Sequence, residues 1–558
     1  MLTTATSAQW QQIYNPTGHL WASTLLAALP LIVLLAALVV FRLKAHLSAL
    51  LAAAVCIVVA IAMFHMPVKL ALLSTGFGAA YGAFPIFWII FPVIFLYQLT
   101  VKAGRFGLLQ GCITGITQDS RLQLLLIAFA LGGFFEGAAG FGTPVAVCGT
   151  LLIGFGFKPI RAAGLALLAN TAPVAMGGLG IPVIALAGVT GLDLHALTGI
   201  VATILTPFCV IVPFWLIWAF AGFTAMLEIW PAVLVAGVAF GATQLVVARL
   251  HGPWLVDISA AVVTIVALLV LLRFWQPRRI LDANCEDITH APQADCRSES
   301  PEEARTIVLS AMLPWAILTL GVILWGTPTF SHWLDTFSAF KIHVAGLDNV
   351  VLRVPPAVPQ PAAEPAIFNL NLLSATGTGI LFSAVVAAFA MGLRPREIVR
   401  VFLAAAHSTR FTLITIAALM SIGFISRFCG LDATLGLAFA QTGILYPFFG
   451  TFIGWLGTAS TGSDTSSNVL FGSLQKLTAQ QLGISSLLMA SANSAGGVMG
   501  KMISPQNVVV ASTATGSYGK EGSILRFVIL HSIVLVTLVG MLVCALALCP
   551  NFARAVLP

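Results

Sequence analysis

Two stretches, NTAPVAMGGLGIP at 170–182 and NSAGGVMGKMISP at 493–505, align without a gap at an offset of 323 residues. Asn170/Asn493, Ala172/Ala495, Met176/Met499, Gly177/Gly500 and Pro182/Pro505 are identical, and Thr171/Ser494 is conservative. Similar offsets pair EGAAGFGTP (136–144) with STGSDTSSN (460–468), and the PVK beginning at Pro67 with the PRE beginning at Pro395. Similar offsets at three places read as a duplication. Gly and Pro inside apolar surroundings break a helix there, and in a bilayer the freed backbone groups must be satisfied by protein.

The bilayer follows from composition. Of 558 residues, 59% are hydrophobic and 8% charged, where a soluble domain carries roughly a quarter charged. The formal charge of +7 is scattered at the ends of apolar runs, which makes it an orientation signal and excludes a nucleic-acid partner. Nine Cys without a CxxC pair or His cluster point to no disulfide framework, metal site or cofactor. The polar start, Met1 to Gly18, lacks the pattern of a cleaved signal.

Apolar runs matching the ~30 Å hydrocarbon thickness fall at 20–41, 45–64, 81–101, 162–190, 197–222, 230–249, 255–274, 307–326, 370–391, 408–426, 485–513 and 524–549. The fold expected is therefore an all-α polytopic membrane protein of about twelve transmembrane helices. Two more stretches, 121–157 and 441–481, are too long for one span and are interrupted by Gly, Ser, Thr and Pro. Arg42, Lys44, Lys102, Arg105, Arg121, Lys158, Arg161, Arg278, Arg279, Arg394, Arg396 and Arg400 sit at segment ends that can share one side, the cytoplasmic one. With Arg121 and Lys158 on the same side, 121–157 reads as a re-entrant hairpin with its turn at Glu136–Pro144. Parity then puts both termini outside.

The two copies also differ in charge. Lys158 and Arg161 follow the first hairpin, whereas Gln481 to Ile484 has no base. Arg394, Arg396 and Arg400 correspond to a stretch around Lys69 with only one. Inverted-topology repeats with broken helices explain this. The chain divides into 1–41 (N-terminal segment and first helix), 42–222 (first repeat), 223–369 (connecting helices), 370–549 (second repeat) and a tail, 550–558. The hairpins are 121–157 and 441–481, and the broken helices 162–190 and 485–513. Within the connecting region, 276–306 is a cytoplasmic linker and 327–369 a Pro-rich external loop. The linker holds eleven charges between Arg278 and Arg305, with Cys285 and Cys296 facing a reducing compartment.

In each half a hairpin turn and a broken helix should meet near mid-membrane. The breaks, Asn170–Pro182 and Asn493–Pro505, leave amides free, and half-helix N-termini attract anions. Asn170, Thr171, Asn493 and Ser494 in the breaks add short polar side chains, as do Ser463, Thr465, Ser466, Ser467 and Asn468 at the second turn and Thr143 at the first. A pocket of small donors suits a small hydroxylated carboxylate. The competing account of the Gly residues is close helix packing. Ionisable groups at membrane depth cost roughly 2.5–3.5 kcal/mol on insertion scales and signal function. Lys501 is expected to pair with Asp464 or with a substrate carboxylate. Asp464, then Glu136, are the proton-coupling candidates, with His531 third. Arg410 and Arg427 read as interfacial snorkelling.

FFEGAAGFGTPVA (134–146), NTAPVAMGGLGIP (170–182), GWLGTASTGSDTSSN (454–468) and SANSAGGVMGKMISPQ (491–506) closely resemble the bacterial L-lactate permease family. The resemblance runs from QQIYNPTGHLWAS (11–23) to KEGSILRF (520–527), sparing 278–305 and 327–369. It implies proton-coupled import of L-lactate, with D-lactate and glycolate, across the bacterial inner membrane, and paired re-entrant hairpins. The partners implied are a small 2-hydroxy monocarboxylate, the proton and the lipid bilayer. A sodium-coupled carboxylate carrier of the same superfamily is the alternative, since broken-helix carbonyls can coordinate sodium. No nucleophile–base constellation supports an intramembrane enzyme.

The charge pattern fixes a topological expectation. Single Cys probes at both ends of 121–157 should label only from the cytoplasmic side, and probes near Gln441 and Gln481 only from outside. Labelling of one stretch from opposite sides would make it a span and break the inverted-repeat arrangement.

Overall fold

Pro67 and Pro395 each set off a long helix, proline's fixed φ and missing N–H being harmless at a helix start. In the computed structural model, Val68–Lys102 and Pro395–Cys429 are each 35 residues long, so the spans expected at 81–101 and 408–426 are longer than their most apolar parts. The first is kinked through a π-helical turn, Gly82–Phe87, where Phe84 leaves the helical region and Pro85 has no N–H to give. The two long helices press together at Gly78 and Gly82. A methyl on Gly78 would sit 2.6 Å from the carbonyl oxygen of Met420. The structure describes residues 9–37, 41, 43–105, 117–138, 140, 142–289, 301–358, 360–517 and 520–549. Arg42, Cys296 and the 550–558 tail lie outside these.

Among the described residues, eight helices are long and apolar enough to cross a membrane, or nine if Pro159–Ala169 and Val174–Thr190, bent by 66°, form one span. Twelve were expected. Two of the eight, Ser120–Ala138 and Leu431–Ala459, lie in the stretches read as hairpins, so the expected spans without a counterpart are Leu20–Leu34, His46–Ala62, Leu313–Val322 and Thr376–Ala390, which are apolar but shorter, and the two broken helices. Both hairpins are present. The first has arms Ser120–Ala138 and Thr143–Gly154. The second has arms Tyr446–Thr461 and Asp464–Gln481, preceded by a 3-10 stretch at Ala440–Leu445.

The broken helices are unequal. The first stops at Ala169, passes through Asn170–Met176, and restarts at Gly177 with Gly178, Leu179 and Gly180 all at positive φ. The second runs unbroken from Ser486 to Gly500 and is interrupted only at Lys501–Ser504 before Pro505–Ala514. The expectation of free amides from Asn493 onward is therefore wrong. Gly454, Gly496 and Gly500 explain why: a methyl on any of them would collide with the facing backbone, so these glycines serve packing and not a break.

Corresponding elements exchange partners. Gly177–Thr190 packs on Asp464–Gln481, and Pro505–Ala514 packs on Thr143–Gly154. The next helices do likewise: Leu194–Ala221 lies on Ser486–Gly500, and Glu521–Leu548 on Pro159–Ala169.

The all-α expectation needs one correction. The 327–369 region carries a helix, Pro328–Ser338, and four short strands: β2 (Ala339–His343), β3 (Val351–Arg353), β4 (Ala362–Ala363) and β5 (Ile367–Asn371). β2 pairs antiparallel with β5, and β3 lies between β4 and the N-terminal β1 (Trp10–Gln11). Nearby, Gln12 Nε2 donates to the carbonyls of Arg427 and Phe428 at 2.8 and 2.9 Å. Arg427 is not a snorkelling residue, because it binds Glu364 at 2.9 Å with Arg353 on the other carboxyl oxygen. Arg410 is exposed, its guanidinium lying 4.7 Å from the Phe411 ring centroid.

Arg121 also departs from the interfacial role. It is 0% exposed and binds Asp119 (2.7 Å), Glu228 (2.8 Å) and the carbonyl of Arg279 (2.6 Å). The linker is thereby tied down at its start, where Ser120 N also donates to the carbonyl of Leu281. On this exposed stretch Thr289, through its hydroxyl and its amide, and Arg279 hold the Asp287 carboxyl down to about 2.

Breaking a buried pair from one side strands the other charge, at about 3–5 kcal/mol. Arg121→Met should therefore lower the melting temperature in detergent sharply. Glu228→Gln, at a group one-third exposed, should shift it little, as a partly solvated partner contributes about 1 kcal/mol or less. Equal shifts would mean that the Asp119–Arg121 pair does not anchor the linker.

Candidate functional site

The second hairpin turns at Gly462, whose φ of +76° suits glycine. Ser463 then caps the next helix by accepting from Ser466 N. The turn delivers Asp464, 3% exposed, to the facing helix. Its carboxyl accepts from Ser494 Oγ (2.6 Å), Asn468 Nδ2 (3.3 Å) and Thr458 Oγ1 (3.4 Å). A side chain at Gly497 would fill the space this carboxyl occupies. From Asp464 a buried polar chain leads inward. Asn468 Oδ1 accepts from Asn493, whose Oδ1 accepts from Gln475, and Gln475 in turn accepts from Tyr446 OH at 2.7 Å. Asn468 also donates to the carbonyl of Pro182 at 3.1 Å, joining the second hairpin to the first broken helix.

The other cluster crosses between the halves. Lys501, in the break of the second broken helix, points its ammonium at Glu136, near the end of the first hairpin's first arm, at 2.7 Å. The pairing of Lys501 with Asp464 is thus corrected. Asp464 is already held by three side-chain donors of its own half, which leaves Lys501 for the carboxylate across the interface. Asn170 Nδ2 donates to the other Glu136 oxygen at 3.1 Å, and a methyl on Gly177 would collide with Glu136 Oε1.

Between the clusters lies a cavity of about 260 Å³. Of the expected site residues, Glu136, Ser463, Asp464, Thr465, Ser466 and Lys501 line it. Asn170, Ser467, Asn468, Asn493 and Ser494 stand behind that wall and hold it: Ser467 Oγ, for example, donates to the carbonyl of Gly454 at 2.9 Å. Thr171 Oγ1 is spent on the carbonyl of Leu168. Thr143 starts the first hairpin's second arm, and its side chain lies outside the described residues. His531 is elsewhere, accepting from Trp215 Nε1 at 2.9 Å and packed edgewise against Phe527. Sequence reading missed His46, Thr412, Thr415, Gln506 and Asn507, all on the wall. The signal was present in Thr412 and Thr415, three apart on one helix face, and in the QN that follows the Pro505 motif.

Two opposite charges at 2.7 Å, both buried, stabilise the fold only together. Lys501→Met alone should lower the melting temperature strongly, by the equivalent of about 3–5 kcal/mol. Glu136→Gln/Lys501→Met together should recover most of that loss. A double variant as unstable as the sum of the single ones would show that the two charges do not act as a pair.

Residues 23–549 match the family model described as L-lactate permease. Glycolate permease GlcA of Escherichia coli (strain K12) is 40% identical over 544 residues, covering 96% of this chain and 97% of that protein. L-lactate permease of the same strain is 40% identical over 543 residues with the same coverage. L-lactate permease of Bacillus subtilis (strain 168) is 38% identical over 551 residues, covering 95% of this chain and 97% of its own. The match spans both hairpins, both broken helices and the Glu136–Lys501 and Asp464 clusters. This multi-pass membrane protein, a transporter and not an enzyme, belongs to the L-lactate permease family.

Proposed function

We propose that the protein is a secondary active transporter importing L-lactate, with D-lactate and glycolate as further substrates, together with protons across the bacterial inner membrane. The carrying observation is the Lys501 ammonium, buried on the cavity wall and neutralised by Glu136. A substrate carboxylate that reaches Lys501 competes with Glu136 for the same charge. Ser463, Thr465 and Ser466 offer hydroxyls to the carboxylate and 2-hydroxyl, and the helix that begins at Ile181 on the cavity wall, past the left-handed Gly178–Gly180, adds its positive end. The names of the similar permeases, lactate and glycolate, agree with a cavity small enough for such an anion.

Moving one negative charge inward against 100 mV costs about 2.3 kcal/mol, so concentrating a monocarboxylate requires at least a compensating cation. Buried carboxyls beside the substrate site supply the place for a proton. Inverted repeats, proposed here from the matched segments and their charges, are supported by the exchange of packing partners between the two halves. They give the site two hairpins of opposite direction that can open it to either side in turn. His46 and Phe411, stacked at 4.5 Å, line the cavity near Lys44, which on the charge pattern is its cytoplasmic end.

Proteoliposomes holding the full chain, without sodium and with an imposed pH gradient, should accumulate labelled L-lactate, and excess glycolate should compete. The Glu136→Gln/Lys501→Gln protein should bind lactate about tenfold or more weakly, as befits a lost hydrogen bond to a charged group of roughly 1.5–3 kcal/mol. Accumulation that needs sodium and ignores the pH gradient would favour the sodium-coupled reading. Unchanged binding in the double variant would move the anion site away from Lys501.

A further inference from the structure

A third carboxyl lies beside this site, and the sequence reading passed over it. Asp257, in the first turn of the helix Val256–Phe274, is 1% exposed, and among the described residues neither of its carboxyl oxygens has a hydrogen-bond partner. Its helix packs on the first arm of the first hairpin, on Gly177–Thr190 and on Trp230–Leu250. The contact is tight: a methyl on Gly137, next to Glu136, would sit 2.7 Å from Asp257 Cβ and 3.0 Å from Ile258 N.

The charged and titratable groups around Asp257 are few. Glu136 on the hairpin repels a negative charge there, and Lys501 attracts it. Arg121, on the same hairpin arm, is bound by Asp119 and Glu228. Cys209, on Leu194–Ala221, is the remaining titratable neighbour, and its thiol donates to Gln244 Oε1 at 2.9 Å. Trp230–Leu250 contributes Gln244, whose Nε2 is buried and unpaired, and Arg249, which donates to Thr203 at 3.1 Å. Gly177–Thr190 contains no titratable residue. The amides of Asp257's own helix start favour an anion through the helix dipole, yet the carboxyl accepts from none of them.

The three carboxyls thus divide by their partners. Glu136 has Lys501 and Asn170, and Asp464 has three side-chain donors. A buried carboxylate with no donor is costly, so the surroundings of Asp257 accommodate the neutral acid.

We propose that Asp257 is the proton-binding carboxyl of the transport cycle, with Glu136 as the charge that Lys501 exchanges for the substrate carboxylate. The inference rests on the proton-coupled reading above. A proton from water on the entry side joins an Asp257 carboxylate oxygen and leaves to water on the other side, with no other bond made or broken. When a substrate carboxylate takes Lys501, the field at Asp257 becomes more negative and its proton is held more tightly. By linkage the proton then tightens substrate binding by the same factor.

The test uses the full chain in proteoliposomes. In wild-type protein, lactate should enter with protons, read by an internal pH-sensitive dye, and lactate affinity should fall as pH rises. Asp257→Asn, which fixes the neutral form, should hold the acid-side affinity at every pH. It should lose pH-driven accumulation at least tenfold while lactate counterflow continues. An Asp257→Asn protein that accumulates lactate, or keeps the wild-type pH dependence, overturns the inference and leaves the coupled reading standing. Absence of proton entry with lactate in wild-type protein overturns the coupled reading itself. If Asp257→Asn fails to give monodisperse protein while Asp257→Glu succeeds, the pocket requires a charge and the inference fails. Infrared difference spectra of the wild-type protein on lactate addition should show a buried carboxylic acid band, and its absence overturns the inference whatever the variants do.

Discussion

A lysine and a glutamate 2.7 Å apart, each less than a tenth exposed, dominate the energetics of the centre of this protein. Either charge alone would be costly in a membrane interior, and only their mutual neutralisation and the added hydrogen bond from Asn170 make the burial tolerable. Because Lys501 comes from the second broken helix and Glu136 from the first hairpin, the pair also fixes how the two halves meet. Gly177 has no room for a side chain beside Glu136, and Asn170 is turned toward it. The geometry of the first break thus follows from the needs of a partner 365 residues away in sequence.

The Asp464 cluster obeys the opposite rule. Its donors Ser494, Asn468 and Thr458 come from its own half, and Asn468 reaches the other half through its bond to Pro182. The Glu136–Lys501 pair instead joins the two halves directly. On the function proposed above, an anion that reaches Lys501 disturbs this cross-half pair more than the Asp464 cluster, whose donors all come from one half.

Glycines of like appearance play different parts. Gly454, Gly496 and Gly500 let two helix backbones approach where no side chain fits, whereas Gly178 and Gly180 sit at positive φ in the break before the second half of the first broken helix. Sequence pattern alone treats both kinds as breaks, and for that reason Asn493 and Ser494 were assigned free amides that the continuous helix Ser486–Gly500 does not have.

What the sequence determined by itself is what depends on local composition and repetition: the membrane environment from the scarcity of charge, the two hairpins from over-long apolar stretches, and the family from four long motifs. Six cavity-lining residues were also legible, because ionisable and hydroxyl groups are rare in such surroundings and stand out. Only the tertiary structure decided which charge meets which. Lys501 meets Glu136 and not the nearer-in-sequence Asp464, which is already held by three donors, and such partners are a property of three-dimensional neighbours. The same holds for Arg121, whose partly exposed partner Glu228 comes from a distant segment, and for Arg427, whose buried partner Glu364 does so too. It holds for Asp257 as well, an unremarkable first-turn aspartate in sequence, distinguished by having no hydrogen-bond partner among the described residues once the helices have packed.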